Sequence, residues 1–135
     1  MSYLLDTDIC IYIINRRPAE VIRKFKQLDV GEIGLSAISV SELRYGVAKS
    51  EKRPQNTQRL EEFLAPFEIL PYDETVASTY GEIRAELERR GEPIGSLDLF
   101  IAAHALSREL TLVTNNEREF RRVGGLRVEN WQKAK

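Results

Sequence analysis

The sequence predicts an α/β fold, a three-layer α/β/α sandwich whose middle layer is a short parallel sheet of four or five strands. Two observations carry this expectation. Short apolar runs alternate along the chain with longer stretches of helical periodicity, the pattern of strand–helix–strand units. The runs are also too continuously apolar for strands wetted on one face, and suit strands buried on both. At 135 residues the chain has the size of one domain, read as residues 1–135, and can bury ~65–70 % of its unfolded surface.

Tyr3-Leu4-Leu5 is the first strand. It runs into Asp6-Thr7-Asp8, where a helix begins that carries the apolar stretch Ile9–Ile14. Pro18 suits the first turn of a second helix, ending near Leu28, because its fixed φ and missing N–H do no harm there. Ile33-Gly34-Leu35 is the second strand. Ser39 is expected to cap the next helix, in which Val40, Leu43 and Val47 recur at three and four residues. A helix over 55–64 leads to a strand at Phe67–Leu70. The clearest amphipathic helix covers 74–90, with Val76, Tyr80, Ile83 and Leu87 on one stripe and Gly91 as its stop. Ser96 is expected to cap an alanine-rich helix lined by Leu97, Ile101 and Ala105. Leu110–Thr114 is the strongest strand signal and ends at Asn115-Asn116. A short helix through Phe120, a last strand near Leu126–Val128 and an anchoring Trp131 complete the order.

Twenty Lys and Arg against 21 Asp and Glu leave a net charge of −1. That balance excludes nucleic-acid binding by a uniformly basic surface, though not by a local patch. One cysteine and one histidine supply neither a disulfide nor a Cys/His zinc site. Nothing in the first residues has the form of a signal peptide, and no apolar stretch approaches the ~20 residues of a membrane span, so a cytoplasmic location is expected.

Parallel α/β sheets bind ligands beyond the carboxyl ends of their strands. Asp6 and Asp8 follow the first strand, and Glu42 follows the second by one helical turn. Asp98 lies in the first turn after Ser96, and Glu119 in the short helix after Thr114. Each has an ordinary structural reading. Asp6 or Asp8 can be an N-cap, Asp98 can favour a helix dipole, and Ser39-x-x-Glu42 and Asn116-x-x-Glu119 have capping-box spacing. Convergence of Asp6, Glu42, Asp98 and Glu119 on one sheet edge would be costly, since carboxylates ~4 Å apart repel by ~4 kcal/mol at an effective dielectric near 20. Raised pKa values or a bound cation would relieve it, and all-oxygen donors select a hard cation such as Mg²⁺ or Mn²⁺.

The motifs then resemble a known family. Leu4-Leu5-Asp6-Thr7-Asp8, and Ser36–Leu43 with Tyr45-Gly46, look like a PIN-domain nuclease. Gly91–Gly95 leading to Asp98 and Ile101–Ala105 extends the likeness. Thr114-Asn115-Asn116, Glu119-Phe120, Val123, Gly125-Leu126 and Glu129-Asn130-Trp131 carry it across nearly the whole chain, as in the VapC toxins of type II toxin–antitoxin systems. The resemblance implies a PIN-like sandwich and a Mg²⁺-dependent endoribonuclease, with Mn²⁺ as a substitute ion. It makes Asp6, Glu42 and Asp98 the core metal ligands. Many PIN domains place a fourth acid where this chain has Asn116, and Glu119 is the substitute on offer. Thr7, Asp8, Thr114 and Asn116 become supporting polar residues. Implied partners are a second copy in a homodimer, a cognate VapB-type antitoxin and a structured RNA, with DNA reached only through the antitoxin. The RNA is expected to be a tRNA, with the initiator tRNA anticodon loop favoured.

Hydrolysis assisted by metal needs no protein nucleophile. Arg118, Arg121 and Arg122 flank Glu119 and are candidates for gripping phosphates without reading sequence. Setting the four acids aside turns the net charge from −1 to +3, an acidic pocket in a mildly basic body. His104 is expected to pack or make a structural hydrogen bond, and Cys10 to be inert core. Two rivals stay open. Strand-Asp-x-Asp also opens the haloacid-dehalogenase phosphatases, with Asp6 as nucleophile, although no Gly-Thr follows Asp8 and no Lys stands near Thr114. The other is a non-catalytic binding module whose acids only cap helices.

Overall fold

Leu4 and Leu5 are neighbours in β1 (Tyr3–Leu5), point to opposite faces and are both fully buried, so the sheet must be covered on two sides. The computed structural model, which describes residues 1–132, shows that arrangement. Strands β1, β2 (Ile33–Ser36), β3 (Glu68–Leu70), β4 (Thr111–Val113) and β5 (Val128–Glu129) form one parallel sheet in the order β3-β2-β1-β4-β5. Leu4 pairs with Gly34 and Leu112, and Leu5 with Val113, which puts β1 at the centre.

Helices α1 (Thr7–Asn15), α2 (Ala19–Lys26), α3 (Ala37–Ala48), α4 (Arg53–Leu64), α5 (Glu74–Arg89), α6 (Ser96–Ser107) and α7 (Glu117–Phe120) supply the cover. Leu4, Leu70 and Leu112 pack on Val76, Ile83 and Leu87 of α5 and on the alanine-rich side of α6. Leu5, Ile33, Leu35 and Val113 pack on Ile9 and Ile13 of α1, Leu43 of α3 and Leu60 and Leu64 of α4. The expected sandwich is therefore the observed one. No helix among the described residues is long and apolar enough to cross a membrane.

Several local expectations are corrected. Ser36, the last residue of β2, accepts the Ile38 N–H and caps α3, so the helix starts directly from the strand and Ser39 lies buried inside it. The Ser39–Glu42 capping box is therefore absent. Pro18 stands in extended backbone just ahead of α2 and is not part of its first turn. Gly95, not Ser96, occupies the N-cap of α6, and no side chain caps that end. Leu97 is half exposed, because α6 is buried almost all round from Leu99 onward and its first turn projects past the core. The last strand is Val128–Glu129, later than the Leu126–Val128 expected from the sequence.

His104 is fully buried, with Nδ1 2.6 Å from Ser36 Oγ. Ser36 Oγ accepts from the Ile38 N–H and makes its second bond to Nδ1, with the donor of that bond set by the imidazole tautomer. Nε2 lies near the Pro71 carbonyl without reaching hydrogen-bond geometry. Burial holds the imidazole below its ordinary pKa, and it is neutral. Burial likewise pushes the Cys10 thiol far up, which makes it an inert core residue. Trp131 is buried and donates from Nε1 to Glu129 at 2.9 Å, the anchor expected of it.

Ser36 thus serves two buried partners. Ser36→Ala removes the α3 cap, about 1 kcal/mol, and strands His104 Nδ1, a further ~1–3 kcal/mol. Urea unfolding should show a loss of about 2–4 kcal/mol, partly recovered when His104→Leu is added. A loss under ~0.5 kcal/mol, the level of an ordinary surface change, would refute the shared role.

Candidate functional site

Leu5 and Val113 are paired in register, so the residues after them, Asp6 and Thr114, emerge side by side at the sheet edge. The Asp6 N–H donates to the Val113 carbonyl at 2.9 Å. The Asp6 carboxylate then accepts two bonds. Thr114 Oγ1 donates to Oδ2 at 2.7 Å, and the Thr7 N–H donates to Oδ1 at 2.8 Å. Asp6 is therefore the N-cap of α1, but its environment is not that of an ordinary cap. It is 7 % exposed, and burial raises its pKa above the usual carboxylate range. The two hydrogen bonds oppose that rise, while the charges of Asp8 and Glu119 add to it.

Asp98 sits in the first turn of α6 and Glu119 in α7, and the two flank Gly95. A Cβ placed on Gly95 would lie 3.7 Å from Asp98 Oδ2 and 3.7 Å from Glu119 Oε1. Glu119 Oε1 accepts the Gly95 N–H at 2.7 Å, and Oε2 accepts from Asn116 Nδ2 at 2.9 Å. Asn116 Nδ2 also reaches Asp98 Oδ2 at 3.5 Å, and the Asn116 N–H donates to Thr114 Oγ1 at 2.9 Å. Asn116 therefore ties the acids together, and Glu119 is the carboxylate among them.

The electrostatics follow from this crowding. Asp98 is pushed up to about 7, first by burial and then by the charges of Glu119, Asp6 and Asp8 and a hydrogen bond to Glu119. Burial also works against the charge on Glu119. Bonds from the Gly95 N–H, Asn116 and Asp98, with Arg122 nearby, nevertheless hold it below the ordinary range. Crowding thus disfavours the charged form of Asp98 and leaves Glu119 the acid whose charge is best supported.

Glu42 has a different setting. Thr7 Oγ1 donates to Ser39 Oγ at 3.2 Å, which fixes α3 against the start of α1. Glu42 follows Ser39 by three residues and shares its face of α3. It is half-buried and lines a cavity of about 350 Å³ with Ile11, Ile14, Leu43, Val47 and Leu60. The charges that raise Asp6 and Asp98 are those of Asp8, Glu119 and, for Asp98, Asp6; Glu42 is not among them. Asp8 is exposed at the rim. Of the three arginines, Arg118 is exposed, Arg121 pairs with Glu117 at 2.7 Å, and Arg122 Nη1 donates to the Pro93 carbonyl at 2.9 Å.

The oxygens at this edge are those of carboxylates and of the Thr114 hydroxyl, the set that suits a hard divalent cation. Among the described residues no three acidic, imidazole or thiol side chains already surround a common point. Asp6, Asp98 and Glu119 are the acids that this edge crowds together and that could hold a cation, with Thr114 and Asn116 fixing their orientation; Glu42, one turn beyond Ser39 on α3, is the fourth candidate.

Sequence reasoning located these acids but missed three contacts that set their spacing. These are the Gly95–Glu119 bond, the double duty of Thr114, and the Arg122–Pro93 bond. Only the Gly91–Gly95 motif hinted at the first.

Comparison with known proteins agrees with this fold. The sequence pattern of the PIN domain matches residues 3–126. The tRNA(fMet)-specific endonuclease VapC of Shigella flexneri is 46 % identical over 131 residues, which is 97 % of this chain and 98 % of that protein. Ribonuclease VapC2 of Haemophilus influenzae is 48 % identical over the same shares. A solved structure of VapBC2 from Rickettsia felis, bound to a DNA fragment from its promoter, superposes with a TM-score of 0.90 at 42 % identity, covering 98 % of this chain and 100 % of that one. With a matched span that takes in both Asp6 and Glu119, this chain belongs to the PIN domain family.

Proposed function

We propose that this protein is the toxin of a type II toxin–antitoxin system, a divalent-metal-dependent endoribonuclease that cuts structured RNA. The observation that carries the reading is the crowding of Asp6, Asp98 and Glu119 at one sheet edge, where Asp98 is pushed up to about 7. Ribonucleases of this family generally depend on divalent metal. Our reading assigns Mg²⁺, with Mn²⁺ as substitute, to Asp6, Asp98, Glu42 and Glu119. When bound, the ion supplies Lewis-acid polarisation of the phosphodiester and an activated water. The chain's own part is orientation and proton balance. Thr114 and the Thr7 N–H hold both oxygens of Asp6, Asn116 spaces Glu119 from Asp98, and Asp98 releases its proton as the cation arrives.

The relatives support the target and the partner. The Shigella protein is specific for tRNA(fMet), and initiator tRNA is the substrate proposed here. The Rickettsia relative was solved as VapBC2 on promoter DNA, which supports a cognate antitoxin through which this chain too meets DNA. The cavity between α1, α3 and α4, whose apolar wall is edged by Asn15, Glu42, Asn56 and Arg59, offers a seat for a segment of that antitoxin. We further propose that residues 1–135 form one PIN domain that pairs as a homodimer in the cytoplasm. Neither the phosphatase nor the capping-only reading is supported: both oxygens of Asp6 are held by hydrogen bonds, and the acids raise one another beyond any need of a cap.

Asp6→Ala or Asp98→Ala should lower cleavage of initiator tRNA more than a hundredfold with the fold intact, since loss of outer-shell partners alone commonly costs 10–100-fold. Glu42→Gln should fall in the same direction. Sequencing RNA 5′ ends after brief induction in cells checks the target: ends clustered in the initiator anticodon loop are expected, and ends scattered over messenger RNA would sink that substrate. Full activity in Asp98→Ala would sink the metal site.

A pH dependence follows for the metal-free protein. The folded Asp98 pKa lies above its unfolded value of 3.8, so the folded state holds this proton more tightly. The group's contribution is complete below about pH 4 and is lost as pH rises through about 7. Asp98→Asn should therefore match wild type in urea unfolding near pH 4 and become the more stable of the two by about pH 7. Equal stability at both ends would contradict the raised pKa.

A further inference from the structure

We propose that Arg122 is a positioning residue that clamps the 91–95 loop onto α7 and so fixes Asp98, rather than a residue that grips RNA phosphate. The inference rests on the metal-dependent reading above and extends it. α6 starts without a side-chain cap. Among the described residues, neither Pro93 nor Ile94 bonds to another backbone group. Ile94 anchors the loop in the core, but its polar side is held from α7. Glu119 Oε1 accepts the Gly95 N–H at 2.7 Å, Arg122 Nη1 donates to the Pro93 carbonyl at 2.9 Å, and the Arg90 guanidinium donates to the Arg122 carbonyl. Three ties thus join the end of α5, the loop and the end of α7, and Asp98 lies three residues beyond the last of them.

The other two arginines differ. Arg121 is committed to Glu117, and Arg118 is exposed with no partner among the described residues. A phosphate meets Arg118 at no structural cost, whereas taking Arg122 would release the loop that carries Asp98.

Charge and clamp predict opposite signs. Arg122 stands close enough to Glu119 to lower its pKa, so deleting the positive charge alone would tighten cation binding at the acids. Deleting the clamp would weaken it. The test measures Mn²⁺ binding by calorimetry without RNA, and hydrogen exchange of the Gly95 amide, in the full-length protein. R122A should weaken Mn²⁺ binding about tenfold, as the loss of an outer-shell support does, and speed Gly95 exchange. R118A should leave both unchanged while lowering the affinity of an initiator tRNA stem–loop and its salt slope by about one. Mn²⁺ binding by R122A that is unchanged or tighter, with unchanged Gly95 exchange, would overturn the proposal. Should R122A fail to fold, R122K decides by the same two readings at constant charge: weaker binding and faster exchange support the clamp, and wild-type values overturn it. A wild-type protein that binds no Mn²⁺ would instead overturn the metal-dependent reading, and Gly95 exchange would still judge the clamp.

Discussion

The crowding of Asp6, Asp98 and Glu119 at one sheet edge is the constraint on which the rest of this site depends. Carboxylates at one sheet edge cannot all be charged without a partner, and this chain brings no lysine or arginine into direct contact with them among the described residues. Burial and the neighbouring charges of Glu119, Asp6 and Asp8 reinforce one another at Asp98, which stands beside Gly95 with Glu119. Everything nearby is arranged around that pair: Asn116 bridges the two acids, Gly95 offers its N–H to Glu119, and Thr114 serves both Asp6 and Asn116.

This arrangement explains why the fold is built as it is. A parallel sheet with β1 at its centre delivers Asp6 beside Thr114 without any long loop, because β1 and β4 end in register. The two-sided core then fixes the helices that carry the remaining acids. α6 is buried almost all round from Leu99 onward, which fixes the helix that carries Asp98 in its first turn, while α7 is only four residues long and is placed by hydrogen bonds. Buried His104 belongs to the same logic. Its bond to Ser36 links α6 to the end of β2, where α3 and Glu42 begin.

The sheet, the helices and the acids were legible because each leaves a local mark: apolar runs, a 3.6-residue period, and an acid directly after a strand. The errors are equally local in origin. Ser36 and Ser39 both precede a helical stretch at cap-like spacing, and only the strand register shows that the first is the cap. Leu97 fits the same stripe as Ile101, yet it stands outside the core because the helix begins past the sheet edge. The Asn116–Glu119 spacing reads as a capping box, whereas the two side chains bond to each other. The Arg122–Pro93 and Glu119–Gly95 contacts join residues more than twenty apart and carry no local mark.

A cation held by Asp98 would displace the proton that burial and crowding favour there. Calorimetry of Mg²⁺ or Mn²⁺ binding in buffers of differing ionisation enthalpy counts the protons released. Release of close to one proton per ion near pH 6, fading as pH rises past about 7 and absent in Asp98→Asn, is the predicted result. Binding that releases no proton at pH 6 would contradict it.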